Sequence, residues 1–278
     1  MTATTANPPI PEIKIHSTTL SAFGALLLRD LTVLRKNLRE FIPRTILQPL
    51  LLMFVFTYVF PKIGQSVGGG GTAATYFSTL LVAGVLGTAI IFQGIQSVAL
   101  PLVQEFGYTR EIEDRVLAPL PIQLVAFEKI VAGALQCLLA ALIVFPIAAV
   151  VPATPVNLDI HWGLLLTIAP LAAMTASALG LTFGTFFNPR SVPILFGVVI
   201  VPMTFLGCVY YSWKSLEPIR WLQIAVLVNP LVYMCEGFRA ALTTAQHMSL
   251  WAIYGVLIGF TVAFTSIGIR FFTKRVIS

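Results

Sequence analysis

Charge is what this sequence has least of. Only 10% of its 278 residues are Asp, Glu, Lys or Arg, against about 25% in a soluble domain, so no water-facing shell can be built over a core of this size. Hydrophobic residues make up 57% and the mean hydropathy is +0.90. The solvent for most of the chain is therefore lipid, and a soluble enzyme or binding module is excluded.

Catalytic equipment is scarce as well. Ion-coupled transporters and proton pumps place carboxylates or histidines inside their spans, where the group carries the coupling ion, yet the long apolar runs here hold neither. His16, His161 and His247 stand singly in loops or tails. The three cysteines, Cys137, Cys208 and Cys235, have no CxxC spacing and define no metal set. Cys137 reads as a small mid-span filler, while Cys208 and Cys235 both map toward the outer face, which leaves a disulfide between them open. There is no HExxH, no GxSxG and no paired-Asp motif. The run Gly68 to Gly71 has no Lys-Ser or Lys-Thr behind it and no strand before it, so it reads as a flexible extracellular loop, not a phosphate cradle. Bases exceed acids by 17 to 11, but they are scattered at the edges of apolar runs and are not clustered among aromatics as a nucleic-acid surface requires.

What is present is a set of uncharged gaps. They run 17 residues from 45 to 61, 42 from 63 to 104, 29 from 130 to 158, 30 from 160 to 189, 23 from 191 to 213 and 30 from 240 to 269. A spanning helix needs about 20 mostly apolar residues, so these gaps predict six spans, at about 43–61, 77–101, 130–151, 162–187, 191–211 and 249–272. The start of the second gap, GQSVGGGGTAAT, is too polar and Gly-rich to face lipid. The gap between Arg220 and Glu236 is too short to cross and contains Asn229-Pro230, which predicts a re-entrant or interfacial segment. With a cytoplasmic N-terminus, 13 bases fall inside and 4 outside; the positive-inside bias then puts both termini in the cytoplasm.

Residues 1–16 lack a signal-peptide pattern and read as a cytoplasmic tail. Over 17–41, Leu20, Phe23, Leu27, Leu31, Leu34, Leu38 and Phe41 recur at three- and four-residue steps among Arg29, Arg35, Lys36 and Arg39, which predicts an amphipathic helix. Lying in the membrane interface fits its bases best; packing on a partner or on the bundle is the other arrangement open to it.

Two segments carry the remaining signal. The cytoplasmic stretch 105–129 holds 8 of the chain's 28 charges: Glu105, Arg110, Glu111, Glu113, Asp114, Arg115, Glu128 and Lys129. Thr109 to Leu117 can form a short helix that Ala118-Pro119-Leu120-Pro121 stops. An ordinary solvated loop would satisfy the composition, but both signs interleaved with Phe106, Tyr108, Ile112 and Val116 suit a docking surface. On the outer side, 213–242 has Pro218 and Pro230 to begin two short helices and Asn229 to cap the second. That predicts a helical hairpin in which Glu236 and Arg239, three apart, share a face, either as a structural pair or as part of a gate or relay.

The order of parts resembles the permease subunits of type-2 ABC exporters, a group that includes drug, polyketide, lipid and polysaccharide exporters. The resemblance spans nearly the whole chain and rests on the amphipathic helix, six spans, the charged loop ending in APLP, and NPLVYMCEGFR before the last span. It implies an all-α integral membrane protein of the plasma membrane, one half of a pair of six-helix permeases, identical or related. Each half would be driven by a separate ATP-binding-cassette subunit that holds the ATP and Mg; this chain would bind no cofactor and would not itself be an enzyme. It further implies coupling to the ATPase through 105–121, with Glu105, Tyr108, Arg110, Glu111, Glu113 and Arg115, and an outer gate at Asn229, Pro230, Glu236 and Arg239. The substrate path would run at the interface of the two halves, between the second and fifth spans, past Thr88, Phe92, Gln93, Gln96, Thr204, Phe205 and Tyr210, whose mostly apolar, neutral character suits a hydrophobic or amphiphilic cargo moved outward. The residues alone leave a structural or assembly membrane protein and a channel as alternatives.

Overall fold

The computed structural model describes residues 19–63, 72–109, 120–152 and 156–277, and every regular element in them is helical. Helix α1, Thr19–Lys36, turns at Asn37 into α2, Leu38–Lys62. Helix α3 begins as Thr72–Gly94 and continues unbroken to Thr109. Then come α4, Ile122–Val150; α5, Trp162–Phe186; the short α6, from Val192 to Phe205; α7, Arg220–Val228; α8, Pro230–Leu242; and α9, Leu250–Ile277.

Five helices, α2, α3, α4, α5 and α9, are long and apolar enough to cross a membrane, and the bent pair α7–α8 makes six candidates. The fifth predicted segment differs from the expectation for 191–211. Its helix ends at Phe205, and Cys208 takes a φ of 53°, a left-handed conformation that stops a helix. The segment still runs from one end of the bundle to the other, from Pro189 beside Gly107 of α3 to Met203, whose carbonyl accepts from Asn229 between α7 and α8, but residues 206–211 continue without helix.

Helix α3 is the centre of the bundle: Leu80 to Ile91 are buried without a break. Small residues let its neighbours approach. Cys137 of α4 lies with its Sγ 3.5 Å from the Ile90 carbonyl oxygen and 3.7 Å from Ser177 Oγ of α5, the filler role expected of it. Helices α2 and α9 instead present Leu47, Leu51, Val262 and Ile267 outward, as helices bathed in lipid do.

Three helices are widened by π-helical turns, at Val55–Val59 in α2, Ile95–Ala99 in α3 and Leu195–Ile200 in α6. Each is followed by a proline, Pro61, Pro101 or Pro202, two residues after its last residue. The residue before each proline donates to the carbonyl five back: Phe60 to Val55, Leu100 to Ile95 and Val201 to Phe196. Proline has no N–H and its ring crowds the carbonyl four residues earlier; widening the preceding turn relieves that crowding.

The two ends of the bundle differ in chemistry. All four tryptophans gather at the end bearing α7 and α8, the hairpin end: Trp162 and Trp251 open α5 and α9, and Trp213 and Trp221 flank the entry to the hairpin. Exposed Trp of this kind, Trp251 at 92%, is the mark of a membrane interface. The opposite, α1 end carries Lys274 and Arg275 in the last turn of α9, where cations complement the helix dipole.

Candidate functional site

At the hairpin end, α7 and α8 meet at 98°. Asn229 makes the corner: its Oδ1 accepts from the Leu231 N–H at 3.0 Å and caps α8, and its Nδ2 donates to the Met203 carbonyl at 2.6 Å, fastening the corner to α6. Pro230 sits at the first helical position, where a missing N–H costs nothing. The far end of α8 is held by the 156–161 segment, whose Asp159 and His161 N–H groups donate to the Leu242 and Ala241 carbonyls. These are the carbonyls a helix terminus leaves open.

Inside this frame lie Glu236 and Arg239, both 0% exposed, with Arg239 Nη1 2.7 Å from Glu236 Oε1. Glu236 also accepts from the Trp213 N–H on Oε1 and from the Met248 N–H on Oε2, both at 2.8 Å. Arg239 Nη2 donates to the Cys208 and Val209 carbonyls. The left-handed Cys208 is what turns those carbonyls toward the guanidinium. The pair thus joins the segment after α6, the hairpin and the start of α9. Helix α3 closes against the same strand of chain: a Cβ on Gly84 would overlap the Val209 carbonyl. Cys208 and Cys235 are separate buried thiols.

At the α1 end a second cluster forms. Lys129 Nζ, in α4, lies 2.9 Å from Asp30 Oδ2 of α1 and 3.6 Å from Glu105 Oε1 of α3. Glu105 is buried in a further π-helical turn, Glu105–Thr109, that prolongs α3. Beside it Arg275 of α9 stacks over the Phe106 ring at 4.7 Å and donates to the Thr185 and Phe187 carbonyls and to Asn188 Oδ1, closing the end of α5. A Cβ on Gly107 would overlap the Pro189 ring ahead of α6. The tip of α3 is therefore in contact, through side chains or ring packing, with α4, the α5–α6 turn and α9, and Lys129 links it onward to α1. Arg110, Glu111, Glu113 and Arg115, and the side chain of Tyr108, lie outside the described residues.

The residues expected along a substrate path divide into two groups. Thr88, Phe92, Gln93 and Gln96 of α3 face a groove whose other wall is α2, with Arg44, Thr45, Gln48, Pro49 and Leu52. Thr204, Phe205 and Tyr210 are not in that lining. Thr204 donates to the Ile200 carbonyl, and Tyr210 packs against Phe56 and Phe205. Arg44, Asp30 and Arg275 were not singled out by sequence. Arg44 carried a usable signal, being the single cation at the head of the 45–61 run; the other two acquire their roles only from partners distant in sequence.

A helical, multi-span bundle with a charged end and a capped, sharply bent hairpin before its last helix is an integral membrane protein in form. Residues 21–243 match the family described as ABC-2 type transporter, and the chain belongs to that family. It is similar to the inner membrane transport permease YadH of Escherichia coli (strain K12), 29% identical over 227 residues that cover 80% of this chain and 84% of the relative. YadH of Escherichia coli O157:H7 and of Shigella flexneri match over the same extent and identity.

Proposed function

We propose that the chain is one membrane half of an ATP-driven exporter, paired with a second permease half, identical or related, and powered by a separate ATP-binding-cassette subunit docked on 105–121. Both termini lie in the cytoplasm, the α1 end faces the ATPase, and the cargo is a hydrophobic or amphiphilic molecule moved outward across the plasma membrane. The observation that carries this reading is the braced tip of α3, where Glu105, Phe106 and Gly107 touch α4, the α5–α6 turn and α9, and Lys129 of α4 links Glu105 onward to Asp30 of α1. A lateral push on the loop beyond it reaches most of the bundle at once.

The push must come from the partner, because a ligand shifts an equilibrium only through its differential affinity for the two states. Nucleotide closes the ATPases, the loop follows, and α3 tilts about its π-helical turn at 95–99. Helices α2 and α6, which carry such turns too, follow it. The hairpin, tied by main-chain bonds to the segment after α6 and to the start of α9, serves as the fixed outer wall against which they move. The permease name of the YadH relatives supports the transport reading.

Co-purification in mild detergent tests the partner: an ATP-hydrolysing subunit should remain bound. Its reproducible absence would favour an assembly protein or channel. Exchanging the charges at the loop, Arg110→Glu with Glu111→Arg, should lower substrate-stimulated ATP hydrolysis and export while membrane insertion stays intact; undiminished coupling would overturn the assignment.

A further inference from the structure

Two cavities meet at the α1 end. The larger, about 400 Å³, is walled by Asp30, Glu40, Arg44, Gln93, Gln96 and Lys129 among others, a size within the range of about 300–1,000 Å³ common for small-molecule sites. Between α2 and α3 it narrows into a seam of about 20 Å³, walled on its apolar sides by Pro49, Leu52, Val85, Ala89 and Phe92. Arg44, Gln93 and Gln96 belong to both.

The charges around the larger cavity are unequal in their commitments. Lys129 is held between Asp30 and Glu105. Arg44 spends its Nε on the neutral Gln96 Oε1, and its two Nη groups have no acceptor among the described residues. Gln93 is 7% exposed; its Oε1 takes the Thr45 hydroxyl at 3.3 Å, and its Nε2 donor has no acceptor among the described residues. A guanidinium fork with a buried amide donor beside it matches a group with two anionic oxygens. Glu40, one turn before Arg44 and in no ion pair with it, stands at the rim as an acceptor for an ammonium or hydroxyl of the same molecule.

We propose that this cavity receives the headgroup of a phosphate- or carboxylate-bearing amphiphile from the inner leaflet, with the anion on Arg44 and Gln93. The seam above it has room for about one water, so an alkyl chain stays outside until α2 and α3 part. The π-helical turns at 55–59 and 95–99 lie in the two helices that would have to part. Calling the cavity an entry point for cargo rests on the export reading above; the binding itself does not.

The test uses the full-length chain in mild detergent without nucleotide, with retained lipid counted by native mass spectrometry. Phosphatidylglycerol should be retained over diacylglycerol of the same chains, and Arg44→Gln should lower that retention about tenfold, as expected for one lost charge-assisted, two-pronged contact. Gln93→Leu should lower it too. Arg270→Gln, an exposed cation at the same end of α9, should change nothing. Equal weakening by Arg44→Gln and Arg270→Gln would reduce the effect to general surface charge and overturn the proposal, as would equal retention of diacylglycerol. Oleate competing as well as the phospholipid supports the shared anion chemistry and an exported carboxylate as a second source. Displacement by millimolar inorganic phosphate alone would overturn an amphiphile site. Because no ATPase takes part, failure here leaves the export reading standing, and failure of the loop exchange leaves this binding standing.

Discussion

Among the described residues, two charge clusters lie at opposite ends of the bundle, built in opposite ways. At the hairpin end Glu236 and Arg239 are wholly buried, and apart from each other their partners are all main chain: the Trp213 and Met248 N–H groups and the Cys208 and Val209 carbonyls. At the α1 end Lys129 is held by side chains, Asp30 and Glu105, at the edge of a cavity. A backbone group cannot swing away without refolding its segment, whereas a carboxylate leaves its partner by changing rotamer. The first cluster fixes the relative position of α3, α6, the hairpin and α9; the second lets α1, α3 and α4 shift and re-form their contacts. A machine driven from one side needs both.

The largest effect should come from leaving half of the rigid pair. Glu236→Gln keeps an acceptor for only one of the two N–H groups and strands the Arg239 charge in the protein interior, and Arg239→Met strands Glu236. Each should lower stability by about 3–5 kcal/mol, the cost typical of an uncompensated buried charge, seen as loss of detergent-soluble yield and a lower melting temperature. Glu236→Leu combined with Arg239→Met removes both charges and should recover part of that loss. If the double variant is no better than the singles, the main-chain bonds matter more than the charge.

A smaller effect separates stability from coupling at the other end. Gly107→Val would drive a branched side chain into the Pro189 ring. Overpacking of this sort costs about 1–3 kcal/mol, and it wedges the tip of α3 away from the turn that leads into α6. Stimulated ATP hydrolysis should fall further than the melting temperature suggests. A proportionate loss of both would mean that the contact is packing and no more.

How much of this could be read in advance follows from the range of each interaction. Uncharged gaps locate α2, α3, α4, α5 and α9 because the cost of a charge in lipid is a property of each residue alone. The hairpin corner was legible too, since Asn229 and Pro230 act on their immediate neighbours. The first limb was less so: Pro218 does not open it, and α7 begins at Arg220. Composition could not show that α6 stops at Phe205, because the cause is a left-handed Cys208 whose carbonyl serves an arginine 31 residues later. Lys129 and Asp30, 99 residues apart, carry no local signature of their pairing. The bases Arg29, Arg35, Lys36 and Arg39 marked the right segment, but they could not say that Asp30 turns inward to α4 while Arg44 borders a cavity with α3.

The smallest stability change is expected at the adjustable cluster, and there the comparison between the two ends is sharpest. Lys129→Met keeps the length and apolar stem of the side chain, which is buried against α1 and α3, and removes only the ammonium. Asp30 and Glu105 lose that contact beside a cavity large enough for water, so they can be hydrated where they stand and the penalty should be about 1–2 kcal/mol, well below that at Glu236. Coupling should suffer more than stability, because the ammonium is what lets α4 follow both α1 and the tip of α3. Raising salt from 0.1 to 1 M shortens the screening distance from about 10 to about 3 Å. In the wild-type chain this should soften the cavity-lining Lys129 cluster and lower stimulated ATP hydrolysis toward the Lys129→Met level, with Glu236 and Arg239 unaffected. A salt response of the same size in Lys129→Met as in the wild type would place the adjustable joint elsewhere, with the loop at 105–121 the next place to look.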